Sequence, residues 1–266
     1  MSNQILEDNQ IRFTILGTGT SSGIPTVGCE CDVCNSSDPK DKRLRCSLLI
    51  ETPSTTVVID TTSDFRQQML IHKVKKLDAV IFTHQHFDHI GGFDDIRAFN
   101  FVQNKSIPIY LNEKTFNSMK KTFAYAFGEA VQVGGGLPTV EVNIISRDNF
   151  KIGDIEFEII PLMHGKIEVL GFRIGKFAYC TDTNFISAYS KNRLNNLDIL
   201  ILDALRFHPH PTHFTIEESI EVAQELEAKE TYFTHIAHQV SHSKLSKELP
   251  EKINLAYDGL SFVMDR

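Results

Sequence analysis

No uninterrupted apolar run in this 266-residue chain approaches the ~18 residues that a membrane-spanning helix requires. Residues 1–10 are polar and acidic, with neither the basic stretch nor the apolar stretch of a secretory leader. These two absences predict a cytoplasmic protein with no membrane partner. Basic runs are missing as well: 27 Lys and Arg stand against 34 Asp and Glu, a formal charge of −7. A chain that grips nucleic acid by neutralising phosphates needs the opposite balance, so nucleic acid is not the expected partner, whereas a small anionic substrate met by metal ions suits the composition. Internal repeats, low-complexity tracts and linkers are also absent, which predicts one domain over residues 1–266 with a large core.

Cysteine is scarce. Five in a chain expected to be cytoplasmic read as metal ligands or core residues rather than disulfides. Cys46 and Cys180 stand alone in apolar surroundings and read as small core residues. Cys29, Cys31 and Cys34 form CxCxxC in a loop bearing Gly and Pro, which presents three thiolates to one zinc and needs a fourth ligand from elsewhere.

What the chain does hold is many short β signals in two groups. The first covers 11–17, 47–51, 56–60, 78–83 and 107–111, with helical patterns at 63–72 and 113–123. The second covers 140–145, 155–161, 170–174, 177–181, 198–202, 231–234 and 261–264, with helices at 186–193 and 215–228, the latter opened by Thr215 and Glu218 in capping-box spacing. Two sheets packed face to face, each covered outside by helices, follow from that pattern: an α+β fold arranged as a four-layer αββα sandwich. Residues 119–139 fit least well and are expected to be a mobile insertion near the site or a plain surface loop.

The most informative run is Thr83-His-Gln-His-Phe-Asp-His89, which follows an apolar strand. In an extended stretch His84 and His86 point the same way and grip one cation, while Asp88 and His89 lie one turn further on and reach a second. Imidazole and carboxylate donors suit zinc, manganese or iron(II). Three more residues repeat the grammar of a strand followed by a ligand: His164, Asp182 and His235. Together they supply what a dinuclear centre needs beyond one turn.

These residues resemble the metallo-β-lactamase superfamily of metal-dependent hydrolases. The resemblance implies that Asp60 supports the loop by hydrogen bonds, that His84, His86 and His164 hold one divalent metal ion, that Asp88, His89 and His235 hold the other, and that Asp182 bridges the two. Zinc or manganese is expected in both places. Residues 16–25, 28–34 and 234–239 look like the PhnP branch, the phosphoribosyl cyclic phosphodiesterases, which are related to tRNase Z. That likeness implies a structural zinc on Cys29, Cys31, Cys34 and His238, with His242 as the competing fourth ligand. It also implies an additional catalytic histidine at His213, with His208 and His210 as neighbours that confuse the choice.

The expected activity is hydrolysis of a small phosphodiester, cyclic ones included, by a hydroxide shared between two cations about 3.5–4 Å apart, with Asp88 orienting that hydroxide and His213 stabilising the leaving oxygen. The alternatives are an RNA-processing nuclease of tRNase Z type and a PqqB-like accessory protein without hydrolytic turnover. The resemblance also implies a homodimer.

Overall fold

The computed structural model describes residues 5–128, 136–146 and 149–266. Its strands form two seven-stranded sheets. From edge to edge the first is β14 (Ser261–Asp265), β1 (Gln10–Gly17), β2 (Ser47–Glu51), β3 (Thr56–Ile59), β4 (Ala79–Ile81), β5 (Ile107–Leu111) and β6 (Val140–Ile144). The second is β13 (Ile253–Leu255), β12 (Glu230–Thr234), β11 (Ile199–Asp203), β10 (Phe177–Cys180), β9 (Ile167–Ile174), β8 (Ile155–His164) and β7 (Phe150–Ile152).

The central strands are apolar on both faces because each sheet is covered twice. Leu48 and Ile50 of β2 join the core between the sheets while Leu49 joins the core under the helices, and Val57, Ile59 and Val58 repeat the alternation in β3. Between the sheets, Phe13, Ile15 and Ile81 meet Phe157, Phe172 and Tyr179. Outside the first sheet, helices Phe65–Ile71, Arg97–Gln103 and Glu113–Thr122 bury Phe65, Met69, Phe99 and Met119. Outside the second, helix Ile216–Leu226 buries Ile216, Ala223 and Leu226. The layers run helix, sheet, sheet, helix, which is the expected αββα sandwich. The Thr215 capping box closes in both directions, at 3.2 Å from Glu218 N to Thr215 Oγ1 and 2.7 Å from Thr215 N to Glu218 Oε2. Among the described residues no helix is long and apolar enough to cross a membrane.

Among the places where the structure departs from the sequence expectation, three bear on the sheets and the cleft. Strands β7 and β13 have three residues each, too few to show a period. Strand β8 runs on to His164, past the Pro161 at which the pattern ends. Pro161 brings no N–H to the ladder, and the opposite Leu170 N–H donates instead to the Thr83 carbonyl at 3.1 Å, which ties the second sheet to the loop that opens with His84. Residues 119–127, expected to begin an insertion, are mostly helical and bring Met119 and Phe123 into the core, while residues 129–135 lie outside the described residues.

The parallel strands β3 to β6 and β10 to β13 end on the side where the His and Asp residues gather. What holds the two sheets in that relation is aromatic packing: the rings of Phe13 and Phe177 stack at 3.8 Å and 4°, both fully buried, one from each sheet. Phe177→Ala is expected to cost about 3–5 kcal/mol. Urea unfolding measures it, and a loss below about 1 kcal/mol would show that the sheets do not depend on this contact.

Candidate metal centre

Strand ends deliver the site. His84 follows β4 through Phe82 and Thr83, Asp182 follows β10 through Thr181, and His235 follows β12 directly. Asp60, Asp182 and His235 all take left-handed backbone conformations, with φ of 66°, 54° and 60°, which turn the chain sharply where each strand stops. For residues other than glycine that conformation costs on the order of 1–3 kcal/mol each. Asp88 and His89 lie on the short helix Phe87–Ile90, seated on the loop after β3. Gly92 permits that seat, since a Cβ there would come within 2.2 Å of the Thr62 carbonyl.

Two groups of donor atoms converge. His84, His86 and His164 form one, and Asp88, His89, Asp182 and His235 the other, with the donor atoms of each group within 4.8 Å of one another. The Asp182 carboxylate lies between them: Oδ1 is 3.2 Å from His89 Nε2, and Oδ2 is 3.3 Å from His235 Nε2 and 3.9 Å from His84 Nε2. Asp88 Oδ2 stands 3.4 Å from His89 Nε2 and 3.7 Å from His235 Nε2.

The outward ring nitrogens are tied down. Nδ1 of His84 meets Thr83 Oγ1 at 3.0 Å, Nδ1 of His89 meets Asp60 Oδ2 at 2.7 Å, and Nδ1 of His164 donates to the Thr212 carbonyl at 2.8 Å. Asp60 also accepts from Thr83 N and Thr83 Oγ1, both at 2.8 Å, and so holds the loop as the family resemblance implied. With Nδ1 occupied, Nε2 faces inward.

Inward, nothing in the chain answers. His84 Nε2, His89 Nε2 and both ring nitrogens of His235 are buried without a hydrogen-bond partner. Each such orphan costs about 1–3 kcal/mol, so their concentration in one cleft lined by two carboxylates fits bound cations. Imidazole with carboxylate is a donor set that zinc and manganese accept.

The electrostatics of His84, His86 and His164 agree, while His89, set among three carboxylates, is held protonated until a cation takes the proton's place. Burial pushes His84 well below the ordinary histidine value, lowers His86, and brings His164 to about 4 against the pull of Asp182. Neutral imidazole is the form that binds a cation. Burial pushes Asp88 and Asp182 up, but His89 beside the first and His235 and His89 beside the second outweigh it and hold both well below the usual carboxylate range. Burial likewise opposes protonation of His89, and Asp182, Asp88 and Asp60 overcome it.

His213 stands in the same cleft. Its ring lies 4.5 Å from that of His164 and 4.5 Å from that of His235, and its Nδ1 is 2.9 Å from Asp203 Oδ1. Burial pulls it down, yet Asp203 at that distance carries it to about 9. His210 is close behind, 5.1 Å from His213 between ring centres, whereas His208 is exposed and contributes its backbone carbonyl to Arg206.

Asp203 was missed by the sequence reading. It is fully buried and accepts from Asp182 N at 3.0 Å and Phe214 N at 3.2 Å besides holding His213. The signal was there: Ile199-Leu-Ile-Leu-Asp203 is another apolar strand ending in a carboxylate, and the expected strand stopped one residue short of it.

The three cysteines gather around one histidine. Sγ of Cys29, Cys31 and Cys34 lie 3.2, 3.4 and 3.8 Å from His238 Nδ1. The Cys34 N–H and His238 lower Cys31 to about 6. His242, the competitor, is elsewhere: its backbone N–H donates to Asp41 and its ring faces Tyr257.

A family model described as a β-lactamase superfamily domain matches residues 55–236. A crystal structure of a new diphosphatase from the PhnP family is 42% identical, covers 96% of this chain and 98% of that one, and superposes with a TM-score of 0.90. The short form of human tRNase Z, at 16% identity over 94% of this chain and 98% of its own, shares the fold with a TM-score of 0.67. Among curated proteins, an octanoyltransferase of Porphyromonas gingivalis is 36% identical over 96% of this chain but only 52% of its own length. The chain spans about half the length of the curated relatives it matches, and the name octanoyltransferase describes a protein nearly twice this size.

Asp203→Ala would leave the Asp182 N–H, the Phe214 N–H and His213 Nδ1 without their acceptor. The expected loss is about 3 kcal/mol in urea unfolding. A change under about 0.5 kcal/mol would mean that Asp203 holds none of them.

Proposed function

This chain belongs to the metallo-β-lactamase superfamily of hydrolases, in its PhnP-like branch, and on that premise we propose that it hydrolyses a small phosphodiester with two divalent cations. The observation that carries this reading is the cleft in which buried, partnerless imidazole nitrogens surround the Asp182 carboxylate. In it His84, His86 and His164 would hold one cation, Asp88, His89 and His235 the other, and Asp182 would touch both. Zinc or manganese, when bound, supplies Lewis-acid charge to the phosphate oxygens and lowers the pKa of water toward neutrality.

The chain's own groups do the rest. Asp60 and Thr83 fix His84 and His89, so the centre needs little rearrangement to act. Asp88, the most open of the carboxylates at 14% side-chain exposure, orients the attacking water through an oxygen not committed to a cation. His213, held by Asp203 and carrying its proton at neutral pH, hands that proton to the oxygen that leaves phosphorus. Water adds to phosphorus, one P–O bond breaks, and the departing alkoxide becomes an alcohol.

The likeness to a protein named a diphosphatase supports a second substrate form. In a disubstituted diphosphate each phosphorus carries two bridging oxygens, as in a diester, and the same groups serve. An RNA-end nuclease fits less well because a Lys/Arg-rich insertion is missing, and a PqqB-like accessory role fits less well because all seven expected ligand residues are present. Cys29, Cys31, Cys34 and His238 would bind a zinc that is structural, since four protein donors leave no open position.

Three outcomes are expected. Asp88→Ala should cut hydrolysis of bis(p-nitrophenyl) phosphate by the manganese- or zinc-loaded protein about 10³-fold with an unchanged melting temperature, and activity within tenfold of the parent would sink the dinuclear reading. His213→Ala should lose about 10²–10⁴-fold on a substrate with an alkoxide leaving group and far less on one that expels p-nitrophenolate, which needs no proton; equal losses on both would remove His213 as the acid. For the cysteine cluster, Cys31→Ser should release one zinc per chain by elemental analysis and lower the melting temperature. Unchanged zinc content and melting would refute that site.

A further inference from the structure

An apolar side chain standing alone in water is ordinary, whereas apolar side chains gathered around a cavity mark a place where something binds. Outside the first sheet, helices Phe65–Ile71 and Arg97–Gln103 leave a cavity of about 330 Å³ between them. Phe65 and Met69 are four residues apart on the first helix, and Ala98 and Val102 are four apart on the second, so each helix gives it one face. Phe65, Met69 and Phe99 form a buried floor, with the Phe65 and Phe99 rings meeting edge to face at 6.3 Å. Leu70 and Val102, which line the same cavity, are 60% and 77% exposed.

The charges around it are one-sided. Arg66, Lys73 and Lys75 line the cavity against one carboxylate, Asp95, although the chain as a whole is acidic. Among the described residues none of these three cations is in an ion pair. Arg66 is the sharper case. The other described arginines meet carboxylates or, for Arg206, backbone carbonyls, while the Arg66 guanidinium meets neither among the described residues. Its N–H donors form a rigid planar fork that a carboxylate fills with two parallel hydrogen bonds.

We propose that this groove is a binding site for an aliphatic carboxylate, in its simplest form a medium-chain fatty acid. The alkyl tail lies on Phe65, Met69 and Phe99 between Leu70 and Val102, and Arg66 takes the carboxylate, with Lys73 and Lys75 adding attraction from the rim. The volume sits at the low end of small-molecule pockets, and a mostly apolar lining with a few polar groups is what such pockets have. A sugar or a nucleotide would lose water from its polar atoms against the three floor side chains and gain no partner there. Both helices have seven residues, so the groove is about 10 Å long, enough for an alkyl tail and short for a helix of another protein. No residue of the metal centre lines it, and it stands apart from the phosphodiesterase reading.

The experiment is NMR of the zinc-loaded protein labelled at the methionine methyls, titrated with nonanoate below its micelle concentration. Met69 lines the groove, Met163 precedes His164 in the metal centre, and Met264 lies on β14. Nonanoate should move the Met69 signal saturably and leave Met163 and Met264 in place. Acetate, which has no tail, should move none of them, and 1-nonanol, which has no charge, should bind about tenfold more weakly than nonanoate. Arg66→Gln should weaken nonanoate about tenfold at an unchanged melting temperature and leave nonanol as it is. Ala98→Phe, at an exposed position where the new ring would fill the groove, should abolish binding of both. A Met69 signal that nonanoate does not move, equal affinity for acid and alcohol, or an affinity unchanged in Arg66→Gln would overturn the proposal. Movement of Met163 without Met69 would put the carboxylate on the metal centre and overturn it as well. None of these readouts involves hydrolysis, so the phosphodiesterase reading stands or falls separately.

Discussion

Everything in the cleft depends on desolvated polar groups that the chain satisfies only in part. His84, His89, His164, His235 and Asp182 are each at most 4% exposed, and they face one another across 3 to 4 Å. Burying such a set is unfavourable unless opposite charges meet and hydrogen-bond, and here Asp182 and Asp88 stand near the inward nitrogens of His84, His89 and His235 without hydrogen-bonding to them. The fold tolerates this only because rigid strands hold the groups in place. A cation inserted among them would satisfy several atoms at once, and the loss of a single ligand leaves the others exposed to the same penalty.

The backbone bears part of the cost. Three of the turns that aim side chains into or beneath the cleft, at Asp60, Asp182 and His235, use a conformation that residues other than glycine seldom adopt. Each is overdetermined by neighbours. Asp60 is fixed by Thr83 and His89, and Asp182 by its N–H on Asp203 and by Thr181 Oγ1 at 2.7 Å. His235 is followed by Ile236, whose N–H donates to the Thr18 carbonyl at 2.8 Å and whose carbonyl accepts from Thr20 N at 3.1 Å. Strain of this kind persists where the surroundings leave no alternative, and it gives these positions their fixed aim.

The layered architecture was legible because the central strands are covered on both faces and spell out apolar runs. The donors were legible for a related reason: a polar ligand residue just after such a run contrasts with what precedes it. Asp203 obeys the same rule, standing directly after the apolar run 198–202, and still escaped, since its partners His213 and Phe214 lie ten or more residues away and are joined to it only by the fold. Spacing alone left His238 and His242 as rivals for the cysteine loop. The difference is tertiary, set by Asp41 drawing the His242 backbone to the other side of the segment.

That contrast bears on the cysteine cluster. Residues 235 to 238 divide their loyalties: His235 turns into the cleft and His238 toward the three sulfurs, with Ile236 hydrogen-bonded on both sides to residues 18 and 20 and the Ala237 N–H donating to Leu205 at 2.9 Å. Thr18 and Thr20 belong to the segment between β1 and β2 that carries Cys29, Cys31 and Cys34. A zinc there would close a loop between the start of that segment and the residue three places after His235, cutting the freedom of both. Because the Ala237 contact runs to Leu205, two residues past Asp203, the same closure would also reach the strand end that holds His213. The cysteine cluster is thus linked to His235 and to the strand end beside His213 through three residues of hydrogen-bonded backbone.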